Sequence, residues 1–240
     1  VLGDWTFENP HRVFAKLKKM SDNYNFQQRD LGDFVDDVSE KSLAATLENR
    51  AMWGAMRMSP RDISDIGGPA YTYLINGHST ADNWNGVFVP GERVRLRIIN
   101  AAAMTLFNVR IPGLPMTIVQ SDGLNVQPLE VDEFQMGVAE TYDVIIEPKD
   151  DKAYAFVAES IDRSGQAVAT FGPKPGMRAT EPALRAVPTL TMKDMGMDHS
   201  AHGKSGDDHT GHDMSKTMDM GAMDHSKMDH GGEKKEMDHS

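Results

Sequence analysis

From Gly67-Gly68-Pro69 onward the chain is cut into short alternating apolar and polar runs separated by turn residues, a pattern that strands satisfy and helices do not. Arg93-Val94-Arg95-Leu96-Arg97-Ile98-Ile99 alternates cleanly behind a Pro90-Gly91 turn. Tyr71 to Ile75, Leu106 to Ile111, Met116 to Gln120, Leu129 to Val138, Tyr142 to Glu147 and Tyr154 to Glu159 are further candidates, with Gln166 to Phe171 last. Their spacing of roughly eight to twelve residues predicts an all-β sandwich or barrel. Pro112-Gly113 and Asp122-Gly123 mark turns between strands.

Ahead of this region the period changes. Asn9-Pro10 is a helix opener, with Asn as cap and Pro in the first turn, and Val13, Leu17 and Met20 follow at helical spacing. A second helical stretch is expected from about Leu31 to Met56, with Phe34, Val35, Val38, Leu43 and Leu47 inward and Ser59-Pro60 as its end. Residues 172–188 are rich in Pro and Gly and read as a linker.

After Met192 there is no aromatic residue and no Leu, Ile or Val. Such a chain cannot bury enough apolar surface to offset its conformational entropy, so disorder is expected there. Two domains follow: a β-domain over 1–182, with a helical insertion at about 10–58, and a segment over 183–240. That segment carries the chemistry. It holds nine methionines (Met192, Met195, Met197, Met214, Met218, Met220, Met223, Met228, Met237) and seven histidines (His199, His202, His209, His212, His225, His230, His239). Met-Asp-His-Ser occurs at Met197, Met223 and Met237, and Met228 opens a near copy. Thioether sulfur is a soft donor suited to Cu(I) and imidazole suits Cu(II), so the alternation points to copper in both oxidation states. All sixteen side chains are candidate ligands. The adjacent Asp198, Asp208, Asp224, Asp229 and Asp238 add cation-attracting charge.

Composition excludes other classes. The net charge of −11 argues against nucleic acid, whose phosphates demand clustered Lys and Arg. With no cysteine, disulfides, zinc–thiolate sites, cysteine nucleophiles and the thiolate of a blue-copper site are all ruled out within this chain. No apolar run reaches the length of a membrane helix. The opening Val1-Leu2-Gly3-Asp4-Trp5 has no initiator Met or signal-type run, and reads as the exit of a strand in a longer protein.

Within the folded part the histidines and methionines have plainer readings. His11 and His78 are isolated, as expected of surface or satisfied core residues. Met52 and Met56, one helical turn apart, and Met58 just beyond read as core packing. So do Met104, Met116 and Met136. Arg93, Arg95 and Arg97 share a strand face, solvated or between domains, and Asp143 and Glu147 read as structural.

Several segments together resemble the multicopper oxidases, specifically the copper-resistance protein A family. They are Asp4-Trp5, the stretch from Arg50 to Met58, Tyr71-Thr72-Tyr73-Leu74-Ile75-Asn76-Gly77, the run from Pro90 to Asn100, Asp122-Gly123, and the run from Glu140 to Pro148. The resemblance implies a cupredoxin-like Greek-key sandwich, the middle of three such domains in a periplasmic oxidase, followed by the Met/His linker. It also implies a type 1 copper in the third domain and a trinuclear cluster between first and third that reduces oxygen to water. The His-x-His pairs and His-Cys-His segment of those centres are missing here, so no oxidation is expected of this chain alone. The parent would oxidise Cu(I) or phenols. Its partners would be copper ions and the other cupredoxin domains. A stand-alone periplasmic copper carrier, with the sandwich merely bearing the segment, is the competing expectation.

Overall fold

The structure, a computed structural model, describes residues 1–196. Two β-sheets face each other. One has five strands in the order β3 (Asn85–Val87), β11 (Gln166–Gly172), β10 (Tyr154–Ser160), β5 (Phe107–Arg110) and β8 (Glu133–Met136). The other has four, β4 (Val94–Ile99), β9 (Thr141–Ile146), β6 (Met116–Ser121) and β7 (Leu124–Val131). The chain passes repeatedly between the sheets, from β5 to β6–β7, back to β8, across to β9 and back to β10. This is the expected mostly-β, cupredoxin-like Greek-key sandwich.

Alternation along each strand builds the core. Phe107 and Val109 on β5, Phe156 and Ala158 on β10, and Ala167, Ala169 and Phe171 on β11 point inward. They meet Ile98, Val144, Ile146, Met116 and Ile118 of the opposite sheet. Met116 and Met136 are fully buried, as gap-filling core methionines should be. The β6–β7 connection is a two-residue loop, Asp122-Gly123, in which both residues take positive φ (47° and 77°) as a twisted hairpin requires.

β1 (Leu2–Trp5) pairs antiparallel with β2 (Thr72–Ile75), and Trp5 faces Thr72. The helical insertion therefore leaves and re-enters at adjacent points, which allows a long excursion with little disturbance to the sandwich. It contains α1 (Pro10–Lys19), α2 (Leu31–Glu40) and α3 (Leu43–Ala55). Asn9 caps α1 through the amide of His11, and Asp30 with Asp33 forms a capping box on α2. The single helix expected over Leu31 to Met56 is in fact two. Ser42, at φ 128°, turns the chain and caps α3 through the amide of Ala45, so a residue that looked interior is a start signal.

The inward face of that stretch also differs from expectation. Val35, Leu43 and Leu47 are exposed at 64%, 53% and 53%, whereas Thr46 and Trp53 are the buried residues of α3. Met52 and Met58, expected in the core, are exposed as well. The insertion is held by partly buried ion pairs, Arg61–Asp33 and Arg50–Asp37, and by a small cluster of Val13, Tyr24 and Ile66. Among the expected strands, Leu129 to Val138 divides at Asp132 into β7 and β8, and β3 is an addition. Among the described residues no helix is long and apolar enough to cross a membrane.

Candidate metal-binding segment and its anchor

Central strands β10 and β11 are buried on nearly every residue, on both faces. One face is the sandwich core. The other is covered by the chain after β11, the stretch that reads in sequence as a linker. The amide of Gly176 donates to Asn85 Oδ1 at 2.7 Å, and Ala179 N donates to Thr170 Oγ1 at 3.0 Å. Ala179 joins Ala155, Val157 and Val168 in an apolar cluster on the outer face. Gln166 Nε2 donates to the Pro182 carbonyl at 2.6 Å. The covering stretch thus runs from β11 across β10 towards β8.

Its firmest attachment is Arg185. The Arg185 backbone amide donates to Glu159 Oε1 at 3.0 Å and Nε donates to Oε2 at 2.6 Å, while Nη1 reaches Glu133 Oε1 at 3.0 Å. Glu159 lies on β10 with no exposed surface. Its Oε2 also accepts from Arg110 Nη1 at 2.8 Å and Arg163 Nη1 at 2.6 Å. Burial alone would push this carboxyl up; the Arg185 amide and the Arg110 and Arg185 guanidiniums outweigh it and hold the pKa below the ordinary glutamate range.

Beyond Arg185 the chain reaches the insertion. Leu190 N donates to the Pro60 carbonyl at 2.8 Å, and Arg61 Nε donates to Thr189 Oγ1 at 3.3 Å. The same guanidinium grips Asp33 with two bonds of 2.9 and 2.6 Å. That grip holds the Asp33 carboxyl below its usual range. Thr191 then caps a turn, its amide and hydroxyl both donating to Asp194 Oδ2 at 2.7 and 2.8 Å. Met192 lines a cleft of about 360 Å³ beside Asp33, Asp36, Asp37 and Glu40.

Of the sixteen candidate ligands, Met192 and Met195 sit in this turn, both partly buried. Met197, His199, His202, His209, His212, Met214, Met218, Met220, Met223, His225, Met228, His230, Met237 and His239 lie outside the described residues. His11 and His78 are exposed and far apart in sequence, as isolated histidines should be. Asp143 bonds Arg95 at 2.6 Å and Glu147 bonds Arg93 at 2.8 Å across the β4–β9 face, structural pairs rather than an acid–base couple. Among the described residues no three His, Cys, Asp or Glu side chains converge on one point. Interleaved thioether and imidazole donors, the pattern suited to copper, occur in this chain from Met192 onward.

The anchor itself was not foreseen. A glutamate ending an otherwise apolar run (Tyr154 to Glu159) was one hint, and Thr191-x-x-Asp194 is a capping signature.

The described residues form two packed sheets crossed by Greek-key connections. A sequence profile of the multicopper oxidases matches residues 1–173, and the chain belongs to that family. It is 49% identical over 226 residues to copper resistance protein A of Escherichia coli, covering 94% of this chain and 36% of that protein. A copper resistance protein A homolog of Pseudomonas syringae pv. tomato is 52% identical over 203 residues, covering 85% of this chain and 34% of the homolog. The chain therefore spans about a third of the length of these relatives. A laccase from Botrytis aclada is similar over 78% of this chain and 30% of its own, at 17% identity and a TM-score of 0.44.

Proposed function

We propose that this chain is the copper-binding part of a periplasmic copper-resistance multicopper oxidase. In this reading residues 1–182 are the scaffold domain and residues 183–240 hold Cu(I) and Cu(II), sequestering the metal or delivering it to the oxidase centre. One observation carries the reading: nine methionines and seven histidines interleave from Met192 to His239 in a chain of this family. Solvated linkers favour Ser, Gly, Glu and Pro, and have no use for oxidation-prone thioethers. Thioether and imidazole together select copper over zinc or nickel. The parent protein would oxidise Cu(I) or phenols while reducing oxygen to water, using coppers whose ligands are supplied by its other cupredoxin domains. This chain has no cysteine with which to build a type 1 site.

The test is Cu(I) titration of the full chain against a competing chelator, repeated on a chain ending at Thr191. Most of the bound copper should vanish with the segment while the β-type circular dichroism persists. Equal copper in both proteins would overturn the assignment. So would X-ray absorption of the loaded chain that finds no sulfur neighbour at the metal.

A further inference from the structure

The stretch after β11 crosses the full width of a sheet, yet its composition is that of a tether. Free tethers make no lasting contacts with the fold, and this one is attached at three places. Ala179 is buried over β11, Arg185 is locked to β10 and β8, and Leu190 is bonded to the loop that ends the helical insertion. The middle attachment is chemically the strongest. Arg185 gives Glu159 both its backbone amide and its side chain, a combination that fixes the path of the main chain as well as the position of the guanidinium. Glu159 would already be paired by Arg110 and Arg163 without it. Arg185 is thus surplus to neutralising the buried carboxylate; its distinct contribution is to fasten the covering stretch.

We infer that residues 176–190 are a strap that fixes where the Met/His segment leaves the domain, and that Arg185 is its positioning residue. The strap ends just before the Thr191–Asp194 turn, so Met192, the first proposed ligand, starts from a defined place beside α2. The metal-related consequence rests on the function proposed above. The fastening does not.

Because the chain has no cysteine, two nitroxide labels can be placed uniquely, at Leu124→Cys on exposed β7 and at Lys193→Cys in the turn after the strap. In the otherwise unaltered, metal-free full chain the electron–electron distance distribution should be narrow. Arg185→Ala should broaden it clearly, and should let the amides of Ala179 and Leu190 exchange roughly 10- to 100-fold faster, as expected for losing charge-assisted hydrogen bonds. The amides of β4 and β9 should keep their protection. Arg185→Lys keeps the charge but loses the fork, and should fall between the two. A narrow distribution in Arg185→Ala overturns the inference. So does broadening accompanied by equal loss of protection in β4 and β9, which would make Arg185 a residue of global stability only. Copper binding is measured separately, by Cu(I) titration of Arg185→Ala and of the unaltered chain. If neither binds copper, the proposed function fails while the strap result stands.

Discussion

Replacing Glu159 by Gln keeps the shape of a fully buried side chain and removes its charge. In the native arrangement one carboxylate oxygen accepts bonds from Arg110, Arg163 and Arg185 at 2.8, 2.6 and 2.6 Å. The variant leaves Arg163 without its carboxylate, and Arg110 and Arg185 with Glu133 alone. Breaking a buried pair by removing one partner costs about 3–5 kcal/mol, because the charge left behind stays desolvated. For a domain of this size each kcal/mol moves the midpoint by roughly 2–4 °C, so a fall of roughly 6–20 °C is expected in thermal unfolding followed by circular dichroism at pH 7. The sign of the pH dependence is also fixed. The folded carboxyl is held below its ordinary range, so its contribution is complete above the unfolded glutamate pKa of about 4.3 and is lost as pH falls through the folded value. The gap between wild type and Glu159→Gln should stay constant from pH 7 to about 5 and narrow only in more acidic solution. A gap below about 2 °C at pH 7, or one that widens on acidification, would refute the cluster as a stabilising unit.

Three further outcomes are expected. Tyr73 is packed against Phe107 in the core and burial pushes its phenol up to about 12, so alkaline ultraviolet titration should show one tyrosine ionising near there. The stability this proton contributes is present below the unfolded tyrosine pKa of about 10 and is lost as pH rises through the folded value. Gly68→Ala should destabilise by about 1–3 kcal/mol in chemical denaturation, because its Cβ would enter the backbone carbonyl of Ser164 in the β10–β11 turn. The double change Val35→Ser, Leu47→Ser should alter stability by less than about 1 kcal/mol, since both side chains are more than half exposed; a larger loss would return them to the inner face.

That last pair shows where sequence reasoning failed. Apolar periodicity assumes that a helix turns its apolar stripe to the core, but α2 and α3 are secured by Arg61–Asp33, Arg50–Asp37 and the buried Thr46 and Trp53. In an insertion held mainly by charge pairs the stripe need not point inward. Strands were more legible because alternation is enforced by the pleat itself. Among the departures, β3 has three residues with a central glycine and offers no alternation to read, and β7 starts at Leu124 rather than Leu129. The early part of β7 hid behind Pro128, which an edge strand tolerates and a central one does not.

The two halves of the candidate site differ in the same way. The ligand set depends on composition alone, and Met-Asp-His repeats announce themselves without any fold. The anchor gathers Arg163 and Arg185 around Arg110, Glu133 and Glu159, three residues that only the sheet order β10-β5-β8 makes neighbours. No local signal marks Arg185 within a Pro- and Gly-rich stretch. Its meaning comes from the partner it finds: a carboxylate that the apolar strand around it would otherwise exclude. A glutamate in a strand buried on both faces demands cations from elsewhere in the chain; Arg110 and Arg163 meet that demand, and Arg185 uses the same carboxylate to fasten the stretch that leads to the candidate ligands.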